Sequence, residues 1–491
     1  MCRHSSFVGR VLILGLLLAS CAKDDPTAAP SKTTTTTVAG TTTSAGPTTT
    51  TTTIAKATPP VTGPARVIPA PAQAAAAACP AVPARAEPRT DRPTYKLNVE
   101  VRPADNVVVG SQRVEFTPDK DTDKIVFRLW ANAPRIARAG GKIEVGVDGA
   151  KSSQPDATTL VIPRNLKAGE TTTVDLNWQI TLPTSSTNDR ISRSGSAIRL
   201  GSFFPVVAWH PGLGQWATEP ATSGFAESSI SLPSDFDVTL TIPQELQALA
   251  TGVEDKPGHW VASGVADWAV SIGDLKVVTG TADGGGGEVK VTVAADRQIG
   301  DAPGPYLDKV VKVITDFGKR FGPYPWPTYS MVLTPELSGG IEYPMHVMQG
   351  PGTLGRTTSH EIGHQWFYGL VPTNQGATPW IDEGMATYAE SRFEDTLQKF
   401  KTTAIPADGR GKAGEPMTYW EPRQSIYYRS VYVQGAQAIA ALGPPDQVDC
   451  ALRQLVARQA YHLTGNGEVV AALTTVFPNA AEVLGRYGIS P

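Results

Sequence analysis

The sequence predicts an α+β protein with an N-terminal antiparallel β-sandwich or saddle domain and a mostly helical second domain. Between residues 95 and 298, apolar and polar residues alternate in short segments separated by Gly, Pro and Asp, which is typical of antiparallel strands. After residue 299, apolar residues recur at intervals of three and four, as they do along one face of a helix. The 491 residues are enough for two or three domains.

The composition excludes several classes of protein. Forty-three Lys and Arg residues against 46 Asp and Glu give a formal net charge of −3, without the basic excess that nucleic-acid-binding proteins carry. Four cysteines are too few for a disulfide-rich scaffold or a zinc ribbon of paired Cys-x-x-Cys motifs. No stretch approaches the roughly 18 consecutive apolar residues of a transmembrane helix. We therefore expect no nucleic-acid partner and no permanent membrane span.

Residues 1–20 have the pattern of a secretory signal peptide. A basic start precedes an apolar run at 11–19, and small residues follow. The ending Leu-Ala-Ser-Cys resembles the lipobox of bacterial lipoproteins, in which the cysteine receives a diacylglycerol and becomes the first mature residue. Two or three long acyl chains such as palmitate, at about 0.8 kcal/mol per buried methylene, would anchor the protein firmly. We expect lipidation of Cys21 and an extracytoplasmic, membrane-anchored location; a plain signal peptide that happens to end in Cys is the alternative.

Residues 21–94 are predicted to form a disordered tether. Threonine runs at 33–37 and 48–53 alternate with Ala and Pro, and large apolar side chains are nearly absent, so the segment buries too little to offset its chain entropy. Cys79 lies in this segment and Cys450 near the other end of the chain. Outside the cytoplasm the two cysteines can pair, but the sequence leaves that pairing open.

The predicted β domain occupies residues 95–298. Its clearest strands are at 95–101, 124–130, 173–180, 237–242 and 288–293. His210 and His259 fall in this domain, and we assign them no chemistry, because a lone His among strands is more often packed than ligating.

The second predicted domain occupies residues 299–491. It begins with one apolar helical stripe, and a strand at 329–333 follows. The stripe consists of Tyr306, Val310, Val311, Ile314 and Phe317.

Residues 360–364 read His-Glu-Ile-Gly-His, a His-Glu-x-x-His motif. Residues four apart on a helix share a face, so His360 and His364 can both reach one metal ion, and neutral imidazole suits Zn²⁺. Glu361 is offset by one position and would face the open side, where it can take a proton from water. A third ligand is needed to make the motif convincing.

Glu383 is the candidate third ligand, with eighteen residues between it and His364. Pro379 suits the first turn of a helix that would present Glu383 to the metal. Glu390 lies two turns further along the same face, where it can accept a hydrogen bond from a ligand imidazole and fix that ring. The alternative is that both glutamates only solvate an exposed helix.

This combination resembles the M1-type zinc aminopeptidases of the gluzincin group. Their pattern is His-Glu-x-x-His, eighteen residues and a Glu within a Trp-x-x-Glu-Gly element, here at 380–384. Residues 321–326 are similar to the family's Phe-Gly-x-Tyr-Pro segment, 339–344 to its Gly-x-Met-Glu-Asn element, and 432–435 to its Tyr-x-Lys-Gly element. The resemblance covers roughly residues 95–491, in a short form that carries a lipoprotein start.

The resemblance implies a thermolysin-like catalytic domain and one catalytic Zn²⁺ per chain. His360, His364 and Glu383 would bind the ion and leave one position open for water and substrate. Glu361 would be the general base that passes a proton to the leaving amine.

The resemblance also implies the groups that hold the substrate. Tyr432 would donate a hydrogen bond to the oxyanion of the tetrahedral intermediate, in preference to Tyr427 or Tyr428. Glu342 would bind the free α-ammonium group of a peptide. The adjacent Gly339 and Gly340 would let the peptide backbone lie close, as an added strand.

The sequence departs from the family at several positions. Ile341 replaces Met and Tyr343 replaces Asn beside the amine anchor, and Gln434 replaces Lys. Larger members carry a C-terminal helical domain over the site, so we expect a more open cleft here.

The predicted function is zinc-dependent hydrolysis of peptide bonds at the cell envelope, by removal of N-terminal residues from peptides. Two alternatives stay open. One is a zinc endopeptidase of thermolysin-like chemistry, and the other is a non-catalytic surface lipoprotein with a structural zinc. The oligomeric state and the side-chain preference are not readable from the sequence.

Overall fold

The computed structural model describes residues 79–185, 187–223, 230 and 232–491. The predicted signal peptide, the lipidation site Cys21 and most of the predicted tether lie outside these residues. None of the helices in the described part of the chain combines the length and the apolar character that a membrane span requires.

Strands make up most of the regular structure between residues 94 and 349. They are β1 (Thr94–Arg102), β2 (Val107–Phe116), β3 (Thr122–Arg128), β4 (Lys142–Val147), β5 (Ser153–Asp156), β6 (Thr159–Leu166), β7 (Thr172–Thr181), β8 (Ile191–Ser194), β9 (Ala197–Leu200), β10 (Val206–Val207), β11 (Trp209–His210), β12 (Gln215–Trp216), β13 (Ser234–Thr241), β14 (Gln247–Ala250), β15 (Val253–Lys256), β16 (His259–Val265), β17 (Val270–Gly273), β18 (Leu275–Asp283), β19 (Glu288–Asp296), β20 (Thr328–Leu333), β21 (Gly340–Tyr343) and β22 (His346–Gln349).

The α-helices are concentrated in the second half of the chain. They are α1 (Pro134–Arg138), α2 (Pro303–Phe321), α3 (Arg356–Gly363), α4 (Pro379–Phe393), α5 (Leu397–Thr402), α6 (Met417–Trp420), α7 (Gln424–Tyr428), α8 (Gln434–Ala440), α9 (Pro445–Gln459), α10 (Asn466–Thr474) and α11 (Ala480–Gly485). A π-helical segment, Arg429–Val433, joins α7 to α8.

The N-terminal region consists of β-sheets, as the alternating pattern predicted. Its largest sheet has seven strands in the order β15-β16-β13-β1-β2-β7-β4. In β1 the apolar side chains of Leu97, Val99 and Val101 are buried, whereas Lys96 and Asn98 are exposed. Burial of one such side chain contributes about 1.5–3 kcal/mol, which fixes the face that each strand turns inward. The β1–β13 pair is parallel, an exception to the expected antiparallel arrangement.

A five-stranded sheet supports the predicted site. Its order is β18-β19-β20-β22-β21, so β21 lies at an edge. The β19–β20 and β20–β22 pairs are parallel, and the β21–β22 pair is antiparallel. Strands β18 and β19 precede residue 299, so this sheet contains strands from both sides of the predicted domain boundary. The division into domains at that residue stays a prediction.

Helices complete the second region and confirm the α+β class. In α2 the predicted stripe is buried at Val310, Ile314 and Phe317, and the helix packs on β18 and β19. Helix α4 is buried at every residue from 379 to 391, so it is a core helix against which α3 and α8 pack.

Residues 79–93 differ from the predicted tether. Cys79 is disulfide-bonded to Cys450 in α9, with 6.0 Å between their Cα atoms. The backbone N–H of Ala86 donates to the carbonyl of Ala457 at 2.8 Å, and the Arg85 guanidinium donates to the carbonyl of Pro323 at 2.8 Å. The segment has no regular secondary structure, but a covalent bond and polar contacts to the helical region compensate for its lack of large apolar side chains. The pairing of cysteines that the sequence left open is therefore present.

Candidate active site

The predicted metal ligands converge from two neighbouring helices. His360 lies in the last turn of α3, His364 follows the end of that helix, and Glu383 lies in the first turns of α4. The Nε2 atoms of the two histidines are 3.1 Å apart. Oε2 of Glu383 is 3.1 Å from Nε2 of His360 and 3.5 Å from Nε2 of His364. The three predicted ligand atoms thus form a nearly equilateral triangle.

This triangle fits one zinc ion. Nitrogen and oxygen ligands at about 2.0–2.1 Å from a tetrahedral zinc lie about 3.3–3.4 Å from one another. The observed separations of 3.1–3.5 Å match that edge length. A tetrahedron with three protein ligands keeps a fourth position, which is the arrangement of catalytic rather than structural zinc sites.

The outer nitrogen of His364 bonds to Asp382, a residue to which the sequence reasoning gave no role. Nδ1 of His364 lies 2.5 Å from Oδ1 of Asp382, and the other carboxylate oxygen accepts a hydrogen bond from the side chain of Gln375 at 2.7 Å. In the neutral ring this bond favours the proton on Nδ1 and leaves a lone pair on Nε2, the nitrogen that faces the triangle. The only signal in the sequence for a role of Asp382 was its position directly before Glu383.

Glu390 occupies the corresponding place beside His360. Its Oε2 lies 3.5 Å from Nδ1 of His360, and its side chain is 4% exposed. Nε2 of His360, Nε2 of His364 and Oε2 of Glu383 therefore face one spot. With both rings neutral, three acceptors would meet there without a donor and repel one another; a bound cation, or protons retained on the imidazoles, removes that repulsion.

Glu361 faces the open side of the triangle. Its carboxylate is buried, and its Oε2 atom has no hydrogen-bond partner among the described residues. A buried acceptor without a partner costs about 1–3 kcal/mol, so this oxygen is available for water or a metal-bound group. One ligand atom each of Glu361, Glu342 and His364 lies within 4.8 Å of the others.

Glu342 and the glycines before it are placed by the edge strand β21. The Glu342 side chain is buried, and no hydrogen bond to it occurs in the described part of the chain. An added Cβ at Gly340 would overlap the Glu361 carboxylate, so only glycine lets the strand approach the predicted base. Gly339 precedes the strand and has room for a methyl group.

Tyr432, rather than its two rivals, reaches the metal site. It lies in the π-helical segment, and its hydroxyl donates to Oε1 of Glu383 at 2.7 Å. Its ring stacks on that of His360, with the centroids 5.6 Å apart. Tyr428 is 47% exposed and bonds to Arg356, whereas the buried Tyr427 hydroxyl has no partner among the described residues.

The site concentrates negative charge. Five carboxylates are buried around the two histidines: Glu342, Glu361, Asp382, Glu383 and Glu390. Burial raises the pKa of Glu342 and of Glu361. Burial lowers the pKa of His360, but hydrogen bonds to Glu383 and Glu390 outweigh that effect and hold the pKa well above its usual value. A cluster with such an excess of acid requires a bound cation or retained protons.

His346 belongs to neither of the two groups of candidate metal-ligating residues in the described part of the chain. It is fully buried between two hydroxyl groups, with Nδ1 2.8 Å from Ser330 Oγ and Nε2 3.0 Å from Ser271 Oγ. Burial lowers its pKa to about 3, so it is neutral.

Curated relatives match part of the chain. No family model matches it. The chain is 33% identical to aminopeptidase B of Rattus norvegicus over 97 aligned residues. The aligned residues make up 18% of this chain and 15% of that protein. It is 31% identical over 98 residues to leukotriene A-4 hydrolase of Xenopus laevis, and the alignment covers 18% of this chain and 16% of that protein. It is 24% identical over 206 residues to leucine aminopeptidase 2 of Coccidioides immitis, and the alignment covers 40% of this chain and 28% of that protein. The chain thus spans about 15% of the length of the relatives it matches first.

Solved structures match almost the whole fold. An M1 zinc metallopeptidase from Deinococcus radiodurans superimposes with a TM-score of 0.58 at 19% identity, covering 82% of this chain and 94% of that chain. A mutant of an M1 zinc metallopeptidase from the same organism, bound to a Tyr-Ser-Ala substrate, gives 0.59 at 19% identity, covering 82% and 95%. These findings show that the chain shares the fold of these M1 zinc metallopeptidases, and together with the curated relatives they confirm the resemblance to M1-type zinc aminopeptidases.

Proposed function

We propose that this protein, which has the fold of the M1-type zinc metallopeptidases, is a zinc-dependent aminopeptidase that acts outside the cytoplasm. The observation that carries the proposal is the triangle of His360, His364 and Glu383 beside the unpaired oxygen of Glu361. A structural zinc needs neither an open position nor a base, so the arrangement favours catalysis over a binding role.

Glu361 is the proposed general base. His360, His364 and Glu383 would hold a Zn²⁺ ion, which would supply Lewis acidity toward the scissile carbonyl and lower the pKa of bound water. The unpaired oxygen of Glu361 accepts the proton of the attacking water and then gives it to the leaving amine. Gly340 leaves the space that this carboxylate occupies.

Tyr432 is the proposed oxyanion donor. Its hydroxyl is already at the metal site, 2.7 Å from Glu383, and it carries the proton that a developing negative charge on the carbonyl oxygen requires. Donors of this kind contribute about 3–4 kcal/mol to transition-state stabilisation.

Glu342 is the proposed anchor for the free α-ammonium group, which makes the enzyme an exopeptidase. A buried carboxylate without a hydrogen bond in the described chain gains most from a cationic partner. The edge strand β21 offers unpaired backbone groups along which a peptide can lie as an added strand.

Purified protein tests this function. We expect cleavage of aminoacyl-fluorophore substrates, loss of cleavage with a chelator, restoration by Zn²⁺, and loss with Glu361→Ala at full zinc occupancy. N-terminal acetylation of a test peptide should abolish cleavage; retained cleavage would indicate an endopeptidase. Full zinc occupancy without turnover on a broad peptide panel would favour a non-catalytic lipoprotein.

The location is a separate part of the proposal. The lipobox-like ending at Cys21 supports a lipid anchor in the cell envelope. A Cys21→Ser variant expressed in a bacterial host should leave the membrane fraction, and mass spectrometry should find acyl chains only on the unsubstituted protein. Membrane association that is unchanged in the variant would contradict the anchor.

A further inference from the structure

Arg356 forms hydrogen bonds with two residues, Glu390 and Tyr428, each of which contacts a different part of the active site. It lies one helical turn before His360 in α3. Its Nε donates to Oε1 of Glu390, and its Nη2 donates to the hydroxyl of Tyr428 at 3.0 Å. The guanidinium also lies over the ring of Phe400, 5.0 Å from its centroid. The planar fork is therefore fixed in position from three sides.

The first route leads through Glu390 to a metal ligand. The carboxylate oxygen of Glu390 that does not face Arg356 lies 3.5 Å from Nδ1 of His360. The Glu390 side chain is 4% exposed, whereas that of Arg356 is 47% exposed. A buried carboxylate without its cation is strongly destabilised, so loss of Arg356 would let Glu390 turn away from His360. That change loosens the His360 imidazole, whose orientation sets its affinity for a metal.

The second route leads through Tyr428 to the proposed oxyanion donor. The Tyr428 ring packs on that of Tyr432, with the centroids 5.1 Å apart. Tyr428 is 47% exposed, so burial does not fix its position, whereas the hydrogen bond from Arg356 does. Tyr432 in turn stacks on His360 and bonds to Glu383.

We infer that Arg356 is a positioning residue of the active site: it holds the Glu390 carboxylate against His360 and holds Tyr428 against Tyr432. The inference rests on the proposed function, because it requires a zinc ion at His360. It assigns different measurable effects to the two routes, namely zinc affinity to Glu390 and turnover to Tyr428.

Zinc affinity, measured on the full chain by competition with a chelator, tests the first route. Arg356→Ala and Glu390→Gln should each weaken zinc binding by about 10- to 100-fold, and the double variant should be no weaker than either single one. Arg392→Ala is the matched control, because Arg392 lies in α4 close to Glu390 but pairs with Asp449, away from the site. It should lower the melting temperature without changing zinc affinity.

Turnover tests the second route. Tyr428→Phe removes only the hydroxyl, so we expect unchanged zinc affinity, an unchanged KM and a kcat that is lower by at least about threefold. Arg356→Lys should do the same, because an ammonium group can pair with Glu390 but lacks the fork that also reaches Tyr428.

The inference is overturned if wild-type protein binds zinc and turns over while Arg356→Ala keeps the same zinc affinity. It is equally overturned if Arg356→Lys and Tyr428→Phe both match wild type in kcat, an outcome that does not depend on the folding of the alanine variant. A wild-type protein that binds no zinc would defeat the proposed function itself, and the inference with it.

Discussion

Glu361 shows how a single side chain acquires its reactivity from its neighbours. Its carboxylate lies beside the triangle of His360, His364 and Glu383, and the absence of a side chain at Gly340 leaves space for it. Its second oxygen is kept free of hydrogen bonds from the described chain. In the proposed role of general base, Glu361 would need no protein partner, because its proton would pass between water and substrate.

Glu361→Gln should lower kcat by about 10²- to 10⁴-fold, since the amide cannot accept the proton of water. Zinc content should stay near one per chain, because Glu361 does not contribute to the triangle. Steady-state kinetics and elemental analysis on the same preparation check both points. Activity that survives the substitution would move the base to another residue.

Asp382→Asn should weaken zinc binding by about 10- to 100-fold. The amide can no longer hold the proton on Nδ1 of His364 as the carboxylate does, so the imidazole loses both its orientation and its basicity. The rate at which a chelator removes zinc measures the effect. Asp446→Asn, a change at a side chain that is 89% exposed, serves as the control and should leave that rate unaltered.

At the residue scale, the sequence predicted the side chains that a fixed spacing brings together. His360, Glu361 and His364 share one helix, and the spacing to Glu383 matched a family pattern. Asp382 and Arg356 were missed, because their partners lie on other helices and the approach of those helices depends on core packing. A carboxylate next to a predicted metal ligand was the only signal for Asp382.

At the level of single elements, β21 carries Glu342, the proposed amine anchor, and passes beside Glu361, the proposed base. As an edge strand it pairs with another strand, β22, on one side only, and as a Gly-containing strand it passes close to α3. Gly340→Ala should displace the Glu361 carboxylate and reduce kcat strongly with zinc retained. Gly339→Ala, whose added methyl meets no atom within 4 Å, should lose much less activity. Equal losses in the two variants would mean that backbone freedom, not the clash, is the cause.

The pairing of β20 with β22 buries a histidine that makes folding sensitive to acid. Burial lowers the pKa of His346 to about 3. The unfolded chain binds a proton there below about pH 6.5 and the folded chain does not, so stability falls as the pH falls. The expected loss from pH 7 to pH 5 is about 2 kcal/mol from this group. Urea unfolding at both pH values should show a smaller loss in His346→Gln; an equal loss would exclude His346 as the cause.

Most elements with a clear period were predicted from the sequence. The stripe of α2 and the strands β1, β3, β7, β13 and β19 were found because a single buried face determines their pattern. The parallel pairing of β1 with β13 and the π-helical segment that carries Tyr432 were not predicted. Strand partners and an added residue in a helical turn depend on contacts distant in sequence, which leave no local period.

For the whole molecule, a disulfide links the start of the described residues to helix α9. The Cys79–Cys450 disulfide joins positions 371 residues apart, and residues 79–93 lead from it to β1. The sequence predicted the α+β class and the order of its two parts from composition and period. It did not predict that the last part of the tether is ordered, because that order comes from α9 and not from the segment itself.

Cys450→Ser should lower the free energy of unfolding by about 2–5 kcal/mol, since a cross-link over so long a loop restricts the unfolded chain. Thermal and denaturant unfolding in the absence of reductant measure the loss. A reductant should destabilise the wild-type protein to the same extent and leave the variant unaffected. A variant as stable as wild type would show that the cross-link contributes nothing to the fold.

Anomalous diffraction at the zinc absorption edge, from crystals of protein supplied with Zn²⁺, would locate the metal ion on which the proposed catalysis depends. We expect one strong peak per chain within about 2.0–2.3 Å of Nε2 of His360, Nε2 of His364 and a carboxylate oxygen of Glu383, with the remaining position held by solvent. A peak elsewhere, or a fourth protein side chain bound to the ion, would contradict it.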